Sequence, residues 1–325
     1  MRANPFKDVY DVCNSISSKL KYENLADFPR YIDIELTNNC NFRCLMCHTG
    51  TYSLKRGRGF MADDVYLNIL NEIKEYKTPI RFIRWGEPTL HPKLIEYIIK
   101  AKKYGIMCHM NTNGSFMNDD MIQMLIDIPL DSIKFSFQGI DRKSFMEMRN
   151  IDFYDELLNI VRKFYVKRGE KEYPYIHIAT TITYETKEQV KQFKDEVKDF
   201  VDLVTVGRTV LDGLDVNKVK LKKKDKDTIR HLKEQESVIK TYSECPEVFD
   251  KLSINWDGTV SACCSDYDKK MIIGTLGKNS LKEIWVSEKM HFYRNMLKDM
   301  RHSELELCKS CYDYHSLQTP ELQNT

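Results

Sequence analysis

Short apolar runs alternate with segments of helical spacing over roughly the first two thirds of the chain. Six runs rich in β-branched and aromatic residues predict strands, at Tyr31–Thr37, Pro79–Arg84, Ile106–Asn111, Ser132–Phe137, Tyr175–Thr183 and Leu203–Val206. Four segments with apolar residues every three or four positions predict helices, at Lys93–Tyr104, Asn118–Ile128, Phe153–Tyr165 and Lys187–Phe200. Repeated strand–helix order of this kind predicts a parallel sheet with helices outside.

Six strand–helix units fall short of the eight that close a TIM barrel. We therefore predict an α/β fold in the form of a partial (β/α)6 TIM-like barrel. In parallel sheets of this type, ligands bind at the carboxyl ends of the strands. The residues that follow each predicted strand are accordingly the first candidates for a functional site.

The stretch from Val216 to Thr241 is dense in charge, with lysines and aspartates mixed between Lys218 and Asp227. Because acids are interspersed with the bases, this pattern indicates a solvated linker or helix face rather than a nucleic-acid site. It also marks a boundary between domains. We expect an N-terminal lead-in at 1–28, a core domain at 29–212, a charged linker at 213–244 and a C-terminal domain at 245–325.

Composition excludes several classes of protein. The 325 residues are 42% hydrophobic, enough for a proper core, and 50 basic side chains against 48 acidic ones leave a formal charge of +2. We expect neither nucleic acid nor a membrane as a partner, since there is no strong charge footprint and no apolar run approaching ~20 residues. With no signal-peptide pattern at the N-terminus, we expect a cytoplasmic protein with reduced cysteines.

Three cysteines follow the first predicted strand directly, as Cys40, Cys44 and Cys47 in a C-x3-C-x2-C pattern. Thiolates hold iron–sulfur clusters, and three of them leave one iron of a four-iron cubane free to bind something else. An open iron can take part in chemistry, which indicates an enzyme. Zinc held by the same three cysteines and His48 is the alternative that the spacing leaves open.

This spacing, and its place after the first strand, resembles that of the radical S-adenosylmethionine (SAM) superfamily. Gly86-Glu87-Pro88 at the end of strand two is similar to the superfamily's GGEP motif, with Trp85 in place of the first glycine. Gln138 stands where relatives often have an Asp. The resemblance implies a 4Fe-4S cluster on Cys40, Cys44 and Cys47, and SAM contacts from Met46, Gly86, Glu87, Asn113, Ser136 and Arg149. Met46 departs from the aromatic residue that is frequent before the third cysteine.

A second cysteine set lies in the C-terminal part. Lys251–Asn255 and Thr259–Cys263 flank Asp257-Gly258, a hairpin signal that places Cys263 on the returning strand. This region resembles the SPASM/twitch auxiliary-cluster domain, which implies a second 4Fe-4S cluster on Cys245, Cys263, Cys308 and Cys311. No cysteine follows Cys311, so we expect the shorter twitch form, a β-hairpin plus a helix. Cys264 competes with Cys263 as a ligand, and structural zinc is again the alternative.

The resemblance also implies a reaction. Superfamily members cleave SAM to a 5′-deoxyadenosyl radical that abstracts hydrogen, with the electron supplied by a flavodoxin- or ferredoxin-type donor. A fully ligated auxiliary cluster favours net two-electron oxidation, so we expect oxidation of an alcohol carbon in a small polar substrate such as a sugar or aminocyclitol. Arg208, at the end of strand six, is a candidate for handling the hydroxyl proton. The alternatives are a maturase for ribosomally made peptides, a radical epimerase, and a non-enzymatic scaffold with two zinc sites.

Overall fold

The structure is a computed structural model. It describes residues 2–14, 17–51, 55–183, 185–209, 211, 214–235, 239–242, 245, 247–311 and 315–318. Within these residues, no helix is both long and apolar enough to cross a membrane.

The strands and helices occur in the predicted alternating order. The strands are β1 (Tyr31–Ile34), β2 (Ile80–Phe82), β3 (Cys108–Thr112), β4 (Ser132–Ser136), β5 (Tyr175–Ile182), β6 (Leu203–Arg208), β7 (Ile239–Tyr242), β8 (Lys251–Ile254), β9 (Thr259–Ser261), β10 (Ile272–Thr275) and β11 (His315–Gln318). The helices are α1 (Lys7–Asn14), α2 (Ser18–Glu23), α3 (His48–Thr51), α4 (Asp63–Ile73), α5 (Leu94–Lys103), α6 (Asp119–Asp127), α7 (Arg142–Arg149), α8 (Tyr154–Arg168), α9 (Lys187–Val197), α10 (Lys223–Gln235), α11 (Glu247–Asp250), α12 (Leu281–Trp285) and α13 (Glu288–Lys298). Single 3-10 turns lie at Pro88–Leu90, Lys198–Phe200, His302–Glu304 and Cys308–Ser310.

Strands β1 to β6 are parallel neighbours in chain order. This arrangement confirms the predicted α/β fold with a partial (β/α)6 barrel. The strand ends differ from the predicted ones by one to three residues, as expected where a strand passes into a loop. The carboxyl ends of the six strands open on one side, where the cysteine loop follows β1.

The C-terminal hairpin extends this sheet. Strand β8 pairs in parallel with β1, from Tyr31 opposite Lys251 to Ile34 opposite Ile254, and β9 and β10 add in antiparallel fashion to give the order β10-β9-β8-β1-β2-β3-β4-β5-β6. Apolar side chains of the hairpin and of α12 share one core with those of the barrel, as Ile254 and Trp285 do with Ile34. The hairpin and helix are therefore attached rigidly to the first barrel strand.

Buried charges cross the sheet beneath this junction. Both carboxylate oxygens of Asp33 accept hydrogen bonds from Arg81, at 2.7 and 2.9 Å. The ammonium of Lys251 lies 3.2 Å from Asp33 and 2.7 Å from Glu247. Burial alone would raise the pKa of Asp33, but the charges of Arg81 and then Lys251 outweigh it and hold the pKa well below its usual range. These pairs connect β1, β2, β8 and α11.

The charged stretch is more than a solvated linker. Within it, Val216, Val219 and Ile229 are buried and pack on Leu45 of the cysteine loop. Leu214 and Leu232 form a second small cluster, with Met148 and Leu211, against which Met46 packs. Apolar residues spaced among the lysines therefore tie this segment, including α10, to the loop that holds Cys44 and Cys47.

Candidate functional site

The cysteine loop is held in place by its own backbone and by α7. The amide of Cys47 donates to the carbonyl of Cys44 at 3.2 Å, and the amide of Leu45 donates to the carbonyl of Met148 at 2.9 Å. Gly50 is required for this compact turn, because a Cβ atom there would lie 2.4 Å from the Cys44 carbonyl oxygen. The three cysteines are thus displayed at the mouth of the barrel.

Nitrogen donors approach two of these sulfurs. Nδ2 of Asn113 lies 3.9 Å from Sγ of Cys40, and Nη1 of Arg149 lies 3.7 Å from Sγ of Cys44. Burial raises the pKa of the Cys40 thiol to about 12, and the neighbouring charges of Glu87, Cys44 and Cys47 contribute to the rise. Burial also raises the pKa of Cys47. Buried thiols of this kind need a bound metal to be held as thiolates, which is the environment that an iron–sulfur cluster fits.

Zinc and an iron–sulfur cluster place different geometric demands on these sulfurs. Among the residues that the structure describes, no group of three or more His, Cys, Asp or Glu side chains is placed to hold one metal ion. A tetrahedral zinc draws its sulfur ligands to about 2.3 Å from one centre. A cubane contacts each thiolate through a different iron, so it accepts a wider set of sulfurs.

Glu87 connects the carboxyl ends of β2 and β3 next to the cysteine loop. Its carboxylate is buried and accepts hydrogen bonds from the amide of Asn113 at 2.7 Å and from the hydroxyls of Thr112 and Thr89 at 2.8 and 2.6 Å. Gly86 lies directly against the lead-in to the loop, since a Cβ atom there would be 1.9 Å from the carbonyl oxygen of Thr37. The GEP turn therefore locks β2, β3 and the cysteine loop together.

Arg149 connects the cysteine loop to the end of β4. It is the last residue of α7, and its Nη2 donates to the carbonyl oxygen of Ser136 while Nη1 faces Cys44. The backbone oxygen of Ser136 is thus engaged by Arg149. Of the residues that the resemblance assigns to SAM, Asn113, Ser136 and Arg149 all lie at this edge of the cluster loop.

A cavity of about 500 Å³ extends from the cysteine loop to the C-terminal cysteines. Met46, Cys47, His48 and Trp85 line it on the side of the loop. On the other side, its lining includes Cys245, Cys263, Cys308 and Cys311. The structure therefore brings all four predicted auxiliary ligands to the same cavity as Cys47 of the first set.

The adjacent cysteines 263 and 264 differ in their surroundings. Cys263 lines the cavity, whereas the residues that line it do not include Cys264, whose amide donates to Glu247 at 3.2 Å. Cys263 lies two residues beyond β9, so the prediction that places it on the returning strand is wrong by that distance. Strand β9 ends at Ser261. One further backbone hydrogen bond, from the amide of Ala262 to the carbonyl of Met271, extends the ladder beyond it.

The C-terminal thiols also influence one another. Burial raises the pKa of Cys308 to about 12, and the charge of Cys311 adds to this. Burial, then the charge of Glu247, raises the pKa of Cys245, with Cys308 and Cys311 contributing. As at the first set, these buried thiols would need bound metal to stay ionised.

Polar side chains from the ends of β4 to β6 form one wall of the cavity. Gln138 donates through Nε2 to the hydroxyl of Thr181, which lies 2.8 Å from the hydroxyl of Thr209. Arg208 also lines the cavity, and no carboxylate in the described part of the chain pairs with it. A guanidinium donates hydrogen bonds and offers no acceptor, so Arg208 can donate to a substrate oxygen. Its role in handling the hydroxyl proton stays a prediction.

Glu247 is a cavity residue that we did not predict. Its carboxylate lines the cavity, pairs with Lys251 and accepts from the Cys264 amide. Burial alone would raise its pKa, but the ammonium of Lys251 outweighs this and lowers the pKa below its ordinary value. Its position two residues after Cys245 was the only signal in the sequence.

Of His48, His91 and His109, only His48 lines the cavity. His48 lines the cavity and stacks on Tyr267 with ring centroids 3.7 Å apart, and burial lowers its pKa to about 4. His91 lies 3.0 Å from the carbonyl oxygen of Met61. His109 contacts Ser132 and Asn111, so it is engaged within the barrel.

Two family profiles match this chain. The profile described as the radical SAM superfamily matches residues 34–197, which contain the first cysteine set and the GEP turn. The profile described as an iron–sulfur cluster-binding domain, SPASM, matches residues 245–312, which contain the second set.

Two relatives align with this chain over more than four fifths of both sequences. The chain is 25% identical over 308 residues to the tungsten-containing aldehyde ferredoxin oxidoreductase cofactor-modifying protein of Pyrococcus furiosus, covering 83% of this chain and 84% of that one. It is 22% identical over 308 residues to the SAM-dependent 2-deoxy-scyllo-inosamine dehydrogenase of Niallia circulans, covering 89% and 95%.

Solved structures share the fold. BtrN in complex with AdoMet and 2-DOIA superposes with a TM-score of 0.59 at 17% identity, covering 91% of this chain and 97% of that one. SuiB of Streptococcus suis bound to its precursor peptide SuiA gives a TM-score of 0.62 at 17% identity, covering 85% and 68%.

Proposed function

Because the chain belongs to the radical SAM superfamily, we propose that it oxidises an alcohol carbon of a small polar substrate, such as a sugar or an aminocyclitol. The superfamily brings a 4Fe-4S cluster and SAM, and the SPASM region brings further iron–sulfur chemistry. Together, these groups supply a deoxyadenosyl radical that removes one hydrogen atom and an acceptor for the second electron. The overall change is loss of two hydrogens from the substrate, one to the adenosyl carbon and one as a proton.

The residues that would hold these groups follow from their positions. Cys40, Cys44 and Cys47 would hold the first cluster, and Cys245, Cys263, Cys308 and Cys311 the second. In this proposal the SAM-contact set is Met46, Gly86, Glu87, Asn113, Ser136 and Arg149. Glu87 contributes by fixing the turn, because its carboxylate is occupied by Thr89, Thr112 and Asn113.

The observation that carries the proposal is the shared cavity. One space of about 500 Å³ is lined by Cys47 at one side and by all four auxiliary cysteines at the other. A substrate bound there would lie between the two sets of thiols. The proposal requires this position, because the cluster on the first set would start the oxidation and the cluster on the second set would complete it.

The polar wall supports a substrate rich in hydroxyl groups. Arg208 can donate to a substrate oxygen, and Glu247, ionised beside Lys251, can accept from a substrate hydroxyl. Thr181 and Gln138 add neutral donors and acceptors. A buried array of this kind rejects an analogue that lacks the matching hydroxyl, because its own polar groups would be left unpaired.

The comparisons favour a small molecule over a peptide. The relative that aligns over 95% of its own length is a dehydrogenase named for 2-deoxy-scyllo-inosamine, whereas likeness to the peptide-bound SuiB concerns the fold alone. Peptide maturation and epimerisation are the competing reactions. In each case, the proposed reducing partner is a flavodoxin- or ferredoxin-type protein.

Mass spectrometry tests the proposal. Reconstituted protein, SAM and a reductant are incubated under anaerobic conditions with panels of cyclitols, sugars, sugar nucleotides and peptides. We expect a loss of two hydrogens from a cyclitol or sugar, with one deoxyadenosine formed per product. Deoxyadenosine with unchanged substrate mass would indicate an epimerase, and a modified peptide would indicate a maturase; either result overturns the proposal.

Substitution of Arg208 sharpens this test. We expect Arg208→Met to raise the KM for the substrate at least about tenfold, because a hydrogen bond to a charged group is worth about 1.5–3 kcal/mol. Deoxyadenosine formation in the absence of substrate should not change. The matched control is Arg162→Met, whose side chain lies on the outer helix α8.

A further inference from the structure

We infer that the lysine-rich segment from Lys218 to Lys226 is the docking surface for an acidic electron-transfer protein that reduces the first cluster. The inference rests on the proposed need for a protein reductant and adds where that partner binds. It does not depend on which substrate is oxidised.

The segment lies directly on the cysteine loop. Val216, Val219 and Ile229 pack on Leu45, and Leu232 belongs to the cluster that contacts Met46. Leu45 and Met46 are the two residues between Cys44 and Cys47. The amide of Lys220 also donates to the carbonyl of Thr51, at the end of the helix that follows Cys47, at 3.1 Å. A partner on the outer side of this segment would therefore be separated from the cluster loop by a single layer of side chains.

The outer side is strongly basic. From Leu214 to Gln235 there are eight lysine and arginine side chains against four aspartate and glutamate side chains, a local excess larger than the +2 of the whole chain. Exposed lysines are present at Lys218, Lys220, Lys222, Lys223 and Lys224. The rest of the chain carries slightly more acidic than basic side chains, so the net positive charge of the protein comes from this segment.

Most of these charges have no internal partner. Lys218 lies 3.4 Å from Asp215, and Arg230 lies 2.8 Å from Asp227. Among the described residues, no carboxylate pairs with Lys220, Lys222, Lys223, Lys224 or Lys226. Asp225 and Asp227 lie one turn away on the same helix but form no ion pair with these lysines in the described part of the chain. The lysines are therefore available to an outside partner.

Apolar and charged positions thus have separate roles in one segment. The apolar ones fix the segment on the loop, and the lysines face outward as a positive surface. Complementary charge speeds association and orients the partner, which suits a transient reductant that must bind and leave. An acidic flavodoxin is the partner that this charge and this position fit. The alternating acids and the near-neutral whole chain disfavour a nucleic acid.

Binding and reduction are measured with charge-reversal variants. The test variant is Lys222→Glu/Lys223→Glu/Lys224→Glu. The control is Lys103→Glu/Lys187→Glu/Lys289→Glu, which makes the same change of charge at three exposed lysines on α5, α9 and α13. The affinity for purified flavodoxin is measured by calorimetry at low and high salt. Formation of deoxyadenosine without substrate is then followed with reduced flavodoxin and, separately, with dithionite.

We expect the test variant to lose at least about tenfold in affinity for flavodoxin at low salt, and the difference to shrink at high salt. Deoxyadenosine formation should slow with flavodoxin and be unchanged with dithionite, while the control behaves as wild type. Equal binding of flavodoxin by the test and control variants overturns the inference. Since neither readout includes substrate, failure here is distinct from failure to find an oxidised product.

Discussion

Nη1 of Arg149 lies 3.7 Å from Sγ of Cys44, the second cysteine of the first set. The position of Arg149 is fixed from several sides. A capping box between Asp141 and Ser144 starts α7, Asn150 ends it in the left-handed region at φ 57°, and Nη2 of Arg149 donates to Ser136. A buried positive charge beside a cluster thiolate stabilises added negative charge.

Removing this charge should change the redox behaviour of the first cluster. We expect Arg149→Met to shift its reduction potential to more negative values by on the order of 60 mV, equivalent to about 1.4 kcal/mol for one electron. Arg149→Lys, which keeps the charge, should shift it less. Potentiometric titration followed by electron paramagnetic resonance measures this. Weaker SAM binding is expected as well, because Arg149 belongs to the proposed SAM-contact set; an unchanged potential would contradict the effect on the cluster.

The close approach of Gly86 to Thr37 predicts a local defect on substitution. A methyl group at Gly86 would lie 1.9 Å from the Thr37 carbonyl oxygen and 2.8 Å from that of Asn39, so Gly86→Ala must displace the lead-in to Cys40. We expect loss of at least half of the iron at the first site and of SAM binding. Gly207→Ala is the control, because a Cβ atom there makes contacts of 3.6 Å or more. Iron content and SAM titration compare the two variants.

The different surroundings of Cys263 and Cys264 predict opposite outcomes on mutation. Cys263→Ser should lose the auxiliary cluster, about four irons per chain. Cys264→Ser should retain it, because Cys264 contributes its amide to Glu247 and does not line the cavity. Iron and sulfide analysis after anaerobic reconstitution decides between them. Retention of about eight irons by the Cys263 variant would assign the ligand to Cys264.

The barrel could be predicted from sequence because its signals are local. Strands such as Ser132–Ser136 alternate polar and apolar residues over a short segment. Helices such as Asp119–Asp127 have an N-cap residue and apolar spacing within one segment. Cysteine spacing is equally local. Helix α4 was not predicted, although its apolar positions Tyr66, Ile69, Leu70 and Ile73 have helical spacing.

Contacts between distant segments could not be predicted. The sequence of Lys251–Ile254 does not specify that this strand pairs with β1, which lies far away along the chain. This pairing brings Lys251 next to Asp33, and Lys251 in turn forms an ion pair with Glu247. The burial of apolar side chains within the charged stretch could not be predicted for the same reason. Its buried valines and Ile229 have a partner, Leu45, that lies about 170 or more positions away along the chain.

The buried pair of Asp33 and Arg81 predicts a large effect on stability. Asp33→Asn leaves Arg81 with an uncompensated buried charge, and we expect a loss of about 3–5 kcal/mol in the free energy of unfolding. Asp11→Asn is the control, since its pair with Lys7 is exposed to solvent and its loss should leave the free energy of unfolding close to that of the wild type. Chemical unfolding at pH 7 measures both.

The pH dependence of that effect has a fixed sign. The pKa of Asp33 is lowered in the folded protein, so its stabilisation is complete above the ordinary Asp pKa of about 3.9 and declines as the pH falls toward the lower folded value. The difference between wild type and Asp33→Asn should therefore be constant from pH 8 to about pH 5 and shrink below about pH 4. A difference that grows on acidification would contradict this account.

The most direct measurement is deoxyadenosine formation by the Cys40→Ala/Cys44→Ala/Cys47→Ala variant, with iron counted in the same samples. Wild-type protein should hold about eight irons and form deoxyadenosine from SAM and dithionite, and the variant should hold about four and form none above background. Its retained irons, on the auxiliary cysteines, show that it is folded. Undiminished deoxyadenosine formation by this variant would contradict the assignment of the first cluster and the chemistry built on it.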